Sequence, residues 1–143
     1  MTQVLQKHQV ANGKEPPPGL VTGNFCMLIA VAEPDVLLRF SIVQSLERDG
    51  HTVLHAPTPG HAMRAIQESR EPVDLLLTSV DFPYGSGLKL CRQVQLAHPS
   101  IRILAMADRL STRRQAQAED WEVLQKPFTA ATLRKRVRII LGH

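Results

Sequence analysis

A short, almost wholly apolar run, Val73-Asp74-Leu75-Leu76-Leu77-Thr78-Ser79, gives way to Val80-Asp81-Phe82-Pro83-Tyr84-Gly85-Ser86-Gly87. It is too short to span a membrane as a helix and shows no alternation of polar residues. The pattern therefore predicts a strand covered on both faces, as in the middle of a parallel sheet, ending in a Pro/Gly-rich turn. In open α/β sheets, ligands bind and chemistry is done at the carboxyl edge of the strands. The residue this strand carries to that edge is Ser79.

The rest of the chain repeats a strand-then-helix unit. Residues 27–32 read as a buried strand, and Pro34-Asp35 opens a helix to about Arg48 in which Val36, Phe40, Val43 and Leu46 recur at helical spacing. Asp49-Gly50 ends it, and a second strand covers 52–56. Thr58 supplies an N-cap oxygen and Pro59 the first position of a helix to about Ser69. After the central strand, a helix from about Ser86 places Gly87, Leu90, Cys91, Val94 and Ala97 on one face, and His98-Pro99 stops it. A fourth strand (101–107), a short basic helix (111–118), a short fifth strand (122–125) and a last helix follow. Thr129 caps that helix, and Leu133, Val137, Ile140 and Leu141 stripe it. Five such units with short connections predict a doubly wound five-stranded parallel sheet of order 2-1-3-4-5, flanked by five helices. Its crevice lies between the first and third strands, so Val31-Ala32-Glu33 and Ser79 are expected to face each other.

A length of 143 residues, 43% hydrophobic and 21% charged, describes one ordinary soluble domain. We assign it to residues 26–143. Residues 1–25 are polar and contain Pro16-Pro17-Pro18, so they are expected to form a flexible tail, with Val4, Leu5 and Val10 as candidate anchors of a short helix against the domain or a partner. Aromatics are only 4%, which leaves the core to Leu, Ile, Val and Ala. Cys26 and Cys91 form neither a CxxC pair nor a disulfide framework; they read as buried small side chains in a reducing cytoplasm. No basic-then-apolar leader and no long apolar window occurs, so no membrane association is expected.

Over residues 27–141 the sequence resembles the receiver domain of bacterial response regulators. Glu33-Pro34-Asp35 resembles the family's start of the first helix, Asp74 through Pro83 with Gly87-Leu88 its third strand and loop, and Lys126-Pro127-Phe128 its Lys-Pro-Phe motif. The resemblance implies a flavodoxin-like receiver fold. It also implies a mechanism in which two acidic residues after the first strand hold Mg²⁺ and an aspartate ending the third strand accepts a phosphoryl group. A Thr or Ser after the fourth strand and a Lys complete that site. Aligned to these motifs, the acidic pair falls on Val31 and Ala32, the acceptor on Ser79 and the Thr/Ser on Ala107; Lys126 alone keeps its family residue.

Mg²⁺ requires carboxylate oxygens, which Val31 and Ala32 lack, and a serine hydroxyl needs a base to become a nucleophile. No His or acid has an evident place beside Ser79. The pocket of Val31, Ala32, Glu33, Ser79, Asp81, Ala107 and Lys126 is therefore expected to be degenerate, without Mg²⁺, other metal or cofactor and without enzymatic activity. Glu33 and Asp81 are the only acids placed to form a weak, shifted cation site, and Lys126 is expected to hydrogen-bond Ser79 or strand-end carbonyls.

Between Ala107 and Lys126 the chain is about three residues shorter than the family pattern and carries Trp121 instead of the usual Gly-Ala. From residue 102 onward, cations outnumber acids, which predicts a basic face on the fourth and fifth helices. Arg113, Arg114, Arg134 and Arg138 are its candidate contacts, with Trp121 as core plug or apolar anchor. Three functions compete. The first is an atypical stand-alone receiver acting in a phosphorelay as a phosphorylation-independent protein-interaction module, its partner a signalling protein or a second copy through the helix 4, strand 5 and helix 5 face. The second is a still phosphorylatable receiver using Asp81 with Glu33 and Lys126. The third is a basic nucleic-acid-binding regulator, for which no recognition-helix or stacking-aromatic motif speaks.

Overall fold

A computed structural model describes residues 27–142. The expectations for the tail, with Val4, Leu5, Val10 and Cys26, lie outside the described residues. Ten elements alternate: β1 Leu28–Ala32, α1 Val36–Arg48, β2 Thr52–Ala56, α2 Pro59–Glu68, β3 Leu75–Ser79, α3 Gly87–Ala97, β4 Arg102–Ala107, α4 Leu110–Ala118, β5 Glu122–Gln125 and α5 Ala130–Leu141. The strands form one parallel sheet of order β2-β1-β3-β4-β5, as the sequence pattern predicts.

Alternation within each strand divides the core between two faces. Ile29, Val31, Leu75, Leu77, Leu104 and Met106 pack with Ile42, Val43 and Leu46 of α1 and Leu133 and Val137 of α5. Leu28, Ala30, Leu76, Ile103 and Ala105 pack on the other face with residues of α2, α3 and α4. Trp121 belongs to this second layer.

The helix starts follow their caps. Asp35 accepts from the amides of Leu37 and Leu38, Thr58 from His61, Ser86 from Lys89 and Thr129 from Thr132. Two predicted stripes differ. In α1 the buried positions are Arg39, Ile42, Val43, Ser45 and Leu46, whereas Val36 and Phe40 are about half exposed, so the helix is rotated from the apolar pattern. The reason lies in Arg39, whose Nη1 donates to the Glu33 carbonyl at 2.8 Å and draws that face inward. In α3, Leu90, Cys91 and Val94 are buried, whereas Ala97, the last residue of the helix, is exposed.

Gly87 fixes how closely α3 approaches the strand end. A β-carbon there would lie 1.9 Å from the Ser79 carbonyl oxygen and 2.7 Å from Val80 Cα, so only glycine fits.

Candidate functional site

The register of β1 against β3 pairs Ala32 with Thr78, which sets Glu33 beside Ser79 at the carboxyl edge of the sheet. Glu33 does not project outward as a helix-start carboxylate: it is 1% exposed. Its Oε1 accepts the Ser79 hydroxyl at 2.7 Å and the Lys126 ammonium at 2.8 Å, and Lys126 Nζ also donates to Ser79 Oγ at 2.6 Å. Oε2 accepts the Asp35 amide at 2.9 Å, so both carboxylate oxygens are engaged. The expectation that no acid stands beside Ser79 is thereby corrected. Parallel pairing of β1 with β3 sets the two strand ends side by side, as expected, and the acid is supplied by the inward turn of the Glu33 side chain, which local spacing does not reveal.

Lys126 makes the Ser79 contact foreseen for it, and its side chain is 14% exposed. It follows β5, whose register places it just past Ala107, and its amide donates to the Ala107 carbonyl at 2.9 Å. Val31, Ala32 and Ala107 are fully packed and line the base of the site without a polar side chain. Arg39, which sequence reasoning missed, adds a second cation beneath Glu33. Burial pulls its guanidinium below the ordinary value, against the raising charges of Glu33 and Asp35. The signal in the sequence is its position, three residues before Ile42 and seven before Leu46 on the buried stripe.

Asp81 belongs to a different network. Its Oδ1 accepts from Arg109 Nη2 at 2.6 Å and its Oδ2 from Thr112 Oγ1 at 3.2 Å, tying the β3–α3 loop to the start of α4. The shifted cation site expected from Glu33 and Asp81 together is corrected accordingly: each carboxylate is held by its own cation. Among the described residues, no three His, Cys, Asp or Glu side chains are grouped to hold a metal. The donor set here does not fit Mg²⁺, because the two positions that the family resemblance assigns to its ligands carry only an isopropyl and a methyl group.

The basic face is also rearranged. Arg134 donates through Nε and Nη2 to Asp49 Oδ1 at 2.9 and 2.5 Å, and Arg138 lies 3.4 Å from the same carboxylate, so both turn toward the end of α1. Burial would raise the Asp49 carboxyl, but hydrogen bonds and charge from Arg134 and Arg138 outweigh it and hold the group below its ordinary value. Arg113 reaches Gln125 on β5 at 3.4 Å, Arg136 pairs with Glu122 at 2.8 Å, and Arg114 is exposed. Arg113 therefore lies beside β5 and Arg114 is exposed on α4, whereas Arg134 and Arg138 are turned to Asp49 at the end of α1. Trp121 is 6% exposed and serves the core, which removes it as an exposed anchor.

Three comparisons bear on this geometry. Residues 29–138 match the family model described as the response regulator receiver domain. The chain is 31% identical over 103 residues to the response regulator receiver protein CpdR of Brucella abortus, covering 70% of this chain and 84% of that protein. It is 30% identical over 120 residues to the transcriptional regulatory protein CseB of Streptomyces avermitilis, covering 80% of this chain but 50% of CseB. Its fold resembles the response regulator receiver domain protein of Clostridium thermocellum, with a TM-score of 0.74 at 24% identity over 81% of this chain and 94% of that one.

Proposed function

This chain belongs to the response regulator receiver domain family, and from that premise we propose that it is a protein-interaction module of two-component signalling that works without aspartyl phosphorylation. The observation that carries this reading is the closed Glu33–Ser79–Lys126 network at the carboxyl edge of the sheet. Phosphoryl transfer depends on a nucleophilic oxygen together with metal ions and fixed cations that spread the developing charge. Here the strand ends in a serine, the ammonium of Lys126 is already paired with Glu33, and both oxygens of Glu33 already accept hydrogen bonds.

The Asp81 link to Arg109 and Thr112 supports one standing conformation of the loops that border the site. Such a module presents a single surface to its partner, a signalling protein or a second copy of the chain, in the cytoplasm. Arg113 beside β5 and the exposed Arg114, both on α4, are the contacts we retain from the basic face. The reading entails no catalytic residue and no Mg²⁺. Among the described residues no helix is long and apolar enough to cross a membrane.

The test is incubation with acetyl phosphate and Mg²⁺ followed by intact mass spectrometry. An unchanged mass is expected. A stable gain of one phosphoryl group, abolished by Asp81→Asn, would overturn the reading in favour of a receiver that uses Asp81.

A further inference from the structure

At the amino-terminal edge of the sheet, opposite the Glu33–Ser79–Lys126 site, the starts of β4 and β5 and the end of α5 border an open cavity of about 400 Å³. Its aliphatic part comes from Ile101 and Ile103, both buried, and from Ile140. Its polar part carries both signs of charge, in Arg102, Asp120 and Glu122, together with Gln95. Ile139 also borders it and is 62% exposed, while Leu96, one position along α3 from Gln95, is strongly exposed. An apolar centre ringed by polar groups is the anatomy of a protein–protein contact. The three charges differ in how they are met. Glu122 pairs with Arg136 at 2.8 Å. Arg102 Nη1 donates to the Ile140 carbonyl, which leaves further guanidinium N–H groups free, and Asp120 is exposed in a left-handed turn at φ 65°. Among the described residues neither Arg102 nor Asp120 has an ion-pair partner.

We propose that this edge is the interface between two copies of the chain, related by a two-fold axis beside Ile139. A two-fold contact sets one patch against itself, so the patch must supply both halves of every complement. This patch does so in shape and in charge. Ile139 is the projecting side chain and the cavity between Ile101, Ile103 and Ile140 receives it from the second copy. The unpaired Arg102 of each copy meets the unpaired Asp120 of the other, so one charge pair forms twice. Arg113 and Arg114 on α4 lack this property, because a two-fold contact centred on them brings like charges together. They are thereby left to a different protein. The interface lies at the opposite end of the strands from Ser79, so the association stands whether or not that pocket accepts a phosphoryl group.

Sedimentation equilibrium of the full chain, carried up to about 1 mM, measures the association. A concentration-dependent rise to the dimer mass is expected, and Ile139→Asp should weaken it by about tenfold or more. Arg102→Glu and Asp120→Lys should each weaken it as well, because like charges then oppose one another at both contacts of the dimer. Mixed in equal amounts, these two variants should associate again, since both contacts between unlike copies join opposite charges. All three positions are exposed, and melting curves verify that the variants stay folded. A parent chain that remains monomeric throughout would overturn the proposal, as would a dimer that survives all three single changes. An equal mixture no more associated than its components would overturn the pairing of Arg102 with Asp120 and the two-fold contact with it. Dimerisation lost in Arg114→Glu but kept in Ile139→Asp would move the interface to α4.

Discussion

The Ser79 hydroxyl donates to Glu33 Oε1 at 2.7 Å, joining two residues 46 apart in sequence inside a site that excludes solvent from both. Glu33 is in turn neutralised by Lys126 at 2.8 Å. A buried ion pair of this kind contributes little beyond what well-packed apolar groups would, because desolvation offsets most of the attraction. Removing one partner alone is costly.

Lys126→Ala is therefore expected to destabilise the fold by about 3–5 kcal/mol, by leaving the Glu33 carboxylate buried without its cation. The double variant Glu33→Gln/Lys126→Met should lose less than the sum of the single losses, since neither charge is then stranded. Urea unfolding of the double variant beside Glu33→Gln alone and Lys126→Met alone measures the coupling. Additive losses would show that Glu33 and Lys126 act independently.

Ser79→Asp is expected neither to restore Mg²⁺-dependent labelling nor to be neutral. It places a second carboxylate against Glu33 with Lys126 to share, and like charges at this distance push one carboxyl upward. Because that folded pKa would then exceed the unfolded one, the variant should recover stability relative to the parent as pH falls from 7 toward 5. Denaturation midpoints across that range and labelling with acetyl phosphate are the two measurements. Efficient labelling of the single variant would mean that Glu33 leaves Ser79 to become a metal ligand.

The Asp49 carboxyl is held below its ordinary value of 3.8, so its pairing with Arg134 and Arg138 stabilises the fold fully above that value. The contribution is lost as pH falls through the lower, folded value. Asp49→Asn should accordingly lower stability at pH 7 and flatten the acid limb of the stability curve below about pH 4. Arg134→Glu should also destabilise, by facing Asp49 with a second acid, whereas Arg114→Glu should change stability by no more than about 0.5 kcal/mol. Thermal melts separate the two arginines. If Arg114 serves partner contact, its reversal weakens capture in a salt-dependent way without moving the melting temperature.

Gly87→Ala is expected to cost about 3 kcal/mol or more, because its β-carbon meets the backbone of Ser79 and Val80, which cannot move aside as a flexible side chain would. Differential scanning calorimetry of that variant beside Gly60→Ala gives the comparison. A β-carbon at Gly60 meets no atom within 4 Å, so this second change should be mild. Equal losses would show that the α3 start is free to shift.

The order of elements was legible in the chain because each depends on signals a few residues apart. The Leu75-Leu76-Leu77 run, the caps at Asp35, Thr58, Ser86 and Thr129, and Pro59 at a helix start act through neighbours along the backbone. That Val31, Ala32 and Ser79 carry no carboxylate was legible for the same reason, since it concerns which residue stands at a strand end. The meeting of the two strand ends and the contact of Lys126 with Ser79 were legible too; tertiary structure alone decided that the Glu33 carboxylate turns inward to join them. Glu33 is carried inward by the turn between β1 and α1, and Lys126 arrives from 93 positions away. The direction of an arginine was equally illegible. Arg134 and Arg138 are ordinary exposed-looking cations on a helix until packing of α5 against α1 sets Asp49 beside them. Coulomb energy depends on distance in space and on local solvation, and neither quantity is carried by spacing along the chain.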